Sequence, residues 1–378
     1  MDVKQDRLYL LDLARAFAAI TVVLQHYQHF YIYKYNGVSE VFDRSTQPFF
    51  NLISFAYNFG SQAVPFFFML SGFIFFSYYY KKILHRKINF KNFVILRLSR
   101  LYPLHFLTLM LTVFFQLIYI KYINNYFIFE ENNIRNFFEH LFLIQEWPFT
   151  SGDSNQAFNA PSFSISVEIF LYISFFFISL NYAKNLKQTL IITLIALITY
   201  SLIRSTLALG FLLFFLGGFL YYLLIKIREN LIDKRMLVIT ILLIINLVVF
   251  SRSLNYPFLI LQFELAPFVG DRLMVLLYFI KFPLVIINLC VIQFFFKNIG
   301  KKFQILGDIS YTIYLVHFPI QIIFHLINLR FFKIGYDQNM LFILFILLVI
   351  LFSYITYKYF ELPLKNKMRK KFIKQQLV

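Results

Sequence analysis

The chain has 378 residues, of which 60% are hydrophobic, 21% aromatic and only 14% charged. A soluble domain carries about 25% charged residues, and a globule of this size could not be covered by so few polar side chains. With 11 Gly, 10 Pro and one Cys, composition also excludes a disordered chain, a collagen-like repeat and a disulfide scaffold, which leaves a protein of the bilayer.

A hydrocarbon core takes about 20 apolar residues per helix. In chain order the expected spans are 9–31, 59–80, 98–120, 163–181, 187–203, 207–225, 236–251, 273–296, 307–329 and 340–360, the fifth and seventh being short. The small-residue run Ala16-Phe17-Ala18 precedes the apolar stretch instead of following it, so the start reads as a retained anchor and not a cleaved signal. The stretch 132–146 is amphipathic with polar flanks, and is expected to lie along the interface. No repeat and no Pro/Gly/Ser linker divides the chain. The expected fold is therefore an all-α polytopic bundle of about ten transmembrane helices over residues 1–363, with a basic cytoplasmic tail at 364–378.

The net charge of +18 would point to nucleic acid in a soluble protein. Its distribution points elsewhere. With the N-terminus inside, 24 of the 36 Lys and Arg residues fall in inner segments, and outer segments hold 10 of the 18 acids. Excess inner Lys and Arg is the rule for cytoplasmic loops. Both termini are expected to be cytoplasmic, and no nucleic-acid partner is expected. Cys290 stands alone in an apolar run, which leaves no disulfide or thiolate metal site to consider.

A charge inside a span costs at least about 2.5 kcal/mol and faces the bundle interior. Four clusters meet that description. In the first span Arg15 and His26 are eleven residues apart, which returns to nearly the same helix face about 16 Å further along. An extended acyl-pantetheine arm is of comparable length, so acyl-CoA phosphates at Arg15 would bring the thioester near His26. The alternative is a snorkelling Arg15, paired with Asp12, and a hydrogen-bonded core imidazole. Arg97 and Arg100 share a face at the inner end of the third span, as phosphate-binding guanidiniums or as ordinary inner-leaflet charge. Glu168, just inside the fourth span, either orients a nearby histidine or is a hydrated interfacial carboxylate. His317 falls near mid-membrane two residues before Pro319 and reads as a structural hydrogen-bonding group, as do His29 and His325. His26 and His29 share a face, but two imidazoles without a third ligand make no metal site.

Taken together, these segments resemble the membrane-bound acyltransferase family 3, bacterial O-acyltransferases of surface glycans. Arg15 to His26 matches its Arg-x10-His, Phe67-Phe68-Met69-Leu70-Ser71-Gly72-Phe73 its FFxLSGF, and Arg97-x-x-Arg100 with Tyr102-Pro103 its RxxR-x-YP. Phe163-Ser164-Ile165-Ser166-Val167-Glu168 is similar to its WSLSVE, Ser310-Tyr311-x-x-Tyr314-Leu315-Val316-His317 to its SYxxYLxH, and Glu361-Leu362-Pro363 to its E-x-P. Two positions depart from the pattern: Phe163 replaces the usual Trp, and Ile169 stands where many relatives carry a second Glu. The stretch after Pro363 is too short for the hydrolase-like domain that some relatives append.

The resemblance implies an integral membrane O-acyltransferase of the bacterial inner membrane. The donor would be cytoplasmic acyl-CoA, with acetyl-CoA the expected form, and no metal. The acceptor would be a hydroxyl of O-antigen lipopolysaccharide, capsule, exopolysaccharide or a lipid-linked glycan. His26 is the expected base, Glu168 its aid or the acceptor's, and Arg15, Arg97 and Arg100 the donor-phosphate ligands. Rival readings are a glycan-lipid transporter or flippase, which should show paired half-sequences, and a glycan polymerase, which should carry its charges in large outer loops.

Overall fold

The computed structural model describes residues 7–32, 42–150, 157–231, 246 and 277–372. The chain is helical, with no strand among the described residues. Eight of its helices there are long and apolar enough to cross a membrane, and they correspond to eight of the ten expected spans. The expected span 236–251 and the start of 273–296 lie outside the described residues, Asn246 apart. The first expected span is shorter than its apolar run: helix α1, Tyr9–His26, ends at His26, and a short helix α2, His29–Ile32, follows after a two-residue turn.

By its contacts the chain divides into two compact units. One takes Met1–Leu13, Pro65–Lys87 and Ser174–Gln304; the other takes Ala14–Val64, Ile88–Ile173 and Ile305–Val378. Four of the divisions fall inside helices, within α1, within Ala63–Tyr78, within Phe163–Asn181 and at the first residue of Gln304–Ile327. A division through helices has no linker, which is why composition reads as one undivided domain.

The helices after α2 are α3 (Phe50–Phe59), α4 (Ala63–Tyr78), α5 (Tyr80–Leu84), α6 (Phe90–Ile123), α7 (Ile134–Leu141) and α8 (Phe163–Asn181). Then come α9 (Leu186–Ile203), α10 (Thr206–Leu231), α11 (Phe282–Phe295), α12 (Gln304–Ile327), α13 (Asn339–Thr356) and α14 (Leu362–Phe372).

In the first unit α4 and α10 meet backbone to backbone. A Cβ on Gly72 would overlap the carbonyl oxygen of Phe214, and one on Gly217 would overlap that of Met69. Around this contact Phe75, Phe76, Phe175 and Phe214 pack edge to face at centroid distances of 5.0–5.7 Å, the geometry that ring quadrupoles favour. The hydroxyls of Tyr80 and Tyr222 donate to the carbonyls of Lys184 and Ala183 at 2.9 and 3.0 Å, satisfying the turn after α8.

In the second unit α12 is the axis. Its successive residues bond outward in several directions, so the helix is enclosed. Tyr311 donates to the Leu101 carbonyl at 2.7 Å, Thr312 to the Glu361 carboxylate at 2.7 Å, and Tyr314 to the Pro161 carbonyl at 2.7 Å. Asn159 donates to the Leu315 carbonyl at 3.2 Å. Helix residues advance by about 100° each, so partners at 311, 312, 314 and 315 hold most of the circumference.

Helix α7 is the expected interfacial segment, and its pattern is inside out. Ile134, Phe138 and Phe142 face outward, whereas Asn136, Glu139 and His140 are buried. Water would penalise that arrangement and a lipid boundary favours it. Asn133 caps the helix by accepting from the Asn136 amide at 2.9 Å. Loss of such a cap costs about 1 kcal/mol.

The residues after Pro363 are helical as far as Phe372. Helix α14 continues α13 through one π-helical turn, Tyr357–Glu361, and Arg369 donates to the Ser99 hydroxyl and the Leu96 carbonyl of α6, both at 3.2 Å.

Candidate active site

All candidate site residues lie in the second unit, where His26 on the one hand and Arg97, Arg100 and Glu168 on the other form two groups. The first surrounds His26, the last residue of α1. Its Nδ1 lies 2.8 Å from Nε2 of His317, and its ring stacks on His29 with centroids 4.7 Å apart. The break after His26 frees its carbonyl, since the four C-terminal carbonyls of a helix have no intrahelical donor. The Gln321 amide takes it at 2.7 Å. The same amide offers its oxygen to Nδ1 of His29 at 3.2 Å. His317 and Gln321, one turn apart on α12, thus hold side chain and main chain of His26 together. His317 is wholly buried, while His26, at the helix end, is half-buried as a residue.

The second group gathers charge. The Tyr172 hydroxyl donates to the Glu168 carboxylate at 2.9 Å, and Arg97 and Arg100 lie within electrostatic reach of that tyrosine. Tyr311 has Glu361, Glu168 and Arg100 around it in the same way. Arg97 is 8% exposed and Glu361 3%, so these charges sit largely out of water, where opposite signs must be kept together. Arg100 and Arg369 both act on Lys365 of α14, which extends the positive side of the group.

The structure therefore sorts the expected residues differently from their order in sequence. Glu168 belongs with Arg97 and Arg100 and makes no hydrogen bond to His26; the group bonded to the His26 ring is another imidazole. Asp12 forms an ion pair with Arg7 at 2.6 Å. Arg15 is half-buried on α1, three turns before His26. Among the described residues no three His, Cys, Asp or Glu side chains are grouped to hold a metal ion, and Cys290 is a buried free thiol.

Tyr172, Gln321 and the pairing role of His317 were not singled out from sequence. A signal existed in the i, i+4 spacings Glu168–Tyr172 and His317–Gln321, which put each pair on one helix face. The partnership of His26 and His317 spans 291 positions, and no local pattern carries it.

The acyltransferase-domain family model matches residues 8–358, and the chain belongs to that family. Comparison with curated proteins and with solved structures found no match. The protein is accordingly a multi-pass membrane acyltransferase.

Proposed function

We propose that the enzyme moves an acyl group, acetyl in the first instance, from cytoplasmic acyl-CoA to a sugar hydroxyl of a surface polysaccharide or lipid-linked glycan at the bacterial inner membrane, with both chain termini cytoplasmic. The observation that carries this reading is His26, its ring braced by two further histidines, in an apolar helical bundle of the acyltransferase family. His26 accepts the proton of the acceptor hydroxyl as its oxygen bonds to the thioester carbon. The tetrahedral adduct collapses with cleavage of the C–S bond, and the proton passes from His26 to the departing CoA thiolate. Products are the sugar ester and CoA-SH. Arg15, Arg97 and Arg100 bind the donor's phosphates, guanidinium being suited to paired contacts with phosphate oxygens. Glu168 balances the arginine pair, and acts on the acceptor or on charge in the pocket instead of on the base.

Two measurements test it. The purified protein should bind CoA, for which a flippase or polymerase has no use, and mass spectrometry of surface glycan should lose its acyl groups when the protein is removed. Unaltered glycan together with no CoA binding would overturn the reading.

Arg100→Ala should raise the KM for acyl-CoA about tenfold or more with little change in kcat, since a charge-assisted hydrogen bond is worth about 1.5–3 kcal/mol. Arg97→Ala should in addition lower the yield of folded protein, because it leaves a buried carboxylate group with less compensating charge.

A further inference from the structure

The bond directions around His317 determine which nitrogen of His26 carries a proton. Nδ1 of His317 faces the carbonyl oxygen of Ile313 at 3.3 Å. A carbonyl only accepts, so that nitrogen holds a hydrogen. In a neutral imidazole the other nitrogen is then an acceptor. It is this acceptor, Nε2, that lies 2.8 Å from Nδ1 of His26. Nδ1 of His26 must therefore donate, and the lone pair of its neutral ring resides on Nε2. Both nitrogens of His317 are thus engaged and its ring is fully enclosed, whereas Nε2 of the half-buried His26 makes no hydrogen bond among the described residues.

From this chain of bonds we infer that His317 is a positioning residue: it fixes His26 in the Nδ1–H form, so that the bare Nε2 faces the acceptor hydroxyl. A buried imidazole does here, without charge, what a carboxylate does for histidine in a hydrolytic triad, where the wrong tautomer costs about 10⁴ in kcat. The Ile313 carbonyl, one turn earlier on α12, sets the direction of the relay. The inference rests on His26 being the base, and its test separates the two.

The decisive pair is His317→Gln and His317→Met, side chains of similar length and volume that differ in offering an oxygen to His26 Nδ1–H. Reconstituted in vesicles with radiolabelled acetyl-CoA and acceptor glycan, His317→Gln should keep kcat within about tenfold of the native enzyme. His317→Met should lose at least about 10²-fold in kcat while its KM for acetyl-CoA changes little. Equal rates for the two, with His26→Ala inactive, would overturn the role of His317 and leave the base intact. An active His26→Ala would instead remove the base itself. Should neither His317 variant accumulate, nitrogen-15 spectra of histidine-labelled native protein decide. The signals lost in His26→Ala should be those of a ring protonated on Nδ1 and bare on Nε2, and a ring protonated on Nε2 would overturn the inference.

Discussion

His26→Ala is expected to lower acyl transfer by about 10²–10⁴-fold, the contribution of a positioned general base. CoA binding should persist, because the arginine group lies apart from His26 and contains none of its hydrogen-bond partners. The substitution should also leave the fold in place. His26 ends its helix, and the contact that holds its main chain is made through its carbonyl by Gln321, which alanine retains. The measurement is turnover of radiolabelled acetyl-CoA at matched protein abundance. A native rate would end the assignment, and loss of CoA binding alongside turnover would show that the two groups are not separable. An acyl-histidine intermediate would use the same Nε2, so the variant tests that nitrogen's part in either route.

The second large effect is structural. Gly72→Leu should cost about 3 kcal/mol or more, seen as a lower midpoint of thermal unfolding in detergent and a smaller monodisperse fraction. The reason lies in the reciprocal contact of α4 and α10. Each glycine meets the carbonyl three residues before the other, Phe214 for Gly72 and Met69 for Gly217. Small residues allow such approach between helices in lipid, where packing supplies much of the association energy. Backbone cannot yield as a flexible side chain can. Gly335→Ala is the control, since only the Asp337 side chain stands near its Cβ position, and it should unfold at the native temperature. Equal midpoints for the variants at positions 72 and 335 would refute the argument.

Much of this fold is legible in the sequence because lipid imposes so simple a rule. An apolar run of sufficient length must be helical, as its backbone has no other partner there, and eight expected spans have counterparts among the described helices. The amphipathic helix α7 is legible too, through its polar and apolar faces. The break after His26 is not, because Tyr27 and Phe30 continue the apolar run and hide a turn held by a side chain from α12. Nor is the helix beyond Pro363, whose Lys and Arg residues resemble a solvated tail until Arg369 is seen to grip α6. At the site, ionisable residue types in lipid single out Arg97, Arg100, Glu168 and His26. Their grouping depends on long-range packing, which assigns Glu168 to the arginines and gives His26 an imidazole partner.

The helices also differ greatly in how far they outreach the hydrocarbon. The α6 rod, Phe90–Ile123, and the composite rod Asn339–Phe372 each have 34 residues, roughly 51 Å of helix against a core of about 30 Å. In the other unit, α9 has 18 residues, roughly 27 Å. A few ångströms of membrane thickening would pull the ends of α9 into oil, while the longer pair would simply stand less proud of the headgroups. Lipid tail length is thus felt by the short α9 and passes almost unnoticed by the two longest rods.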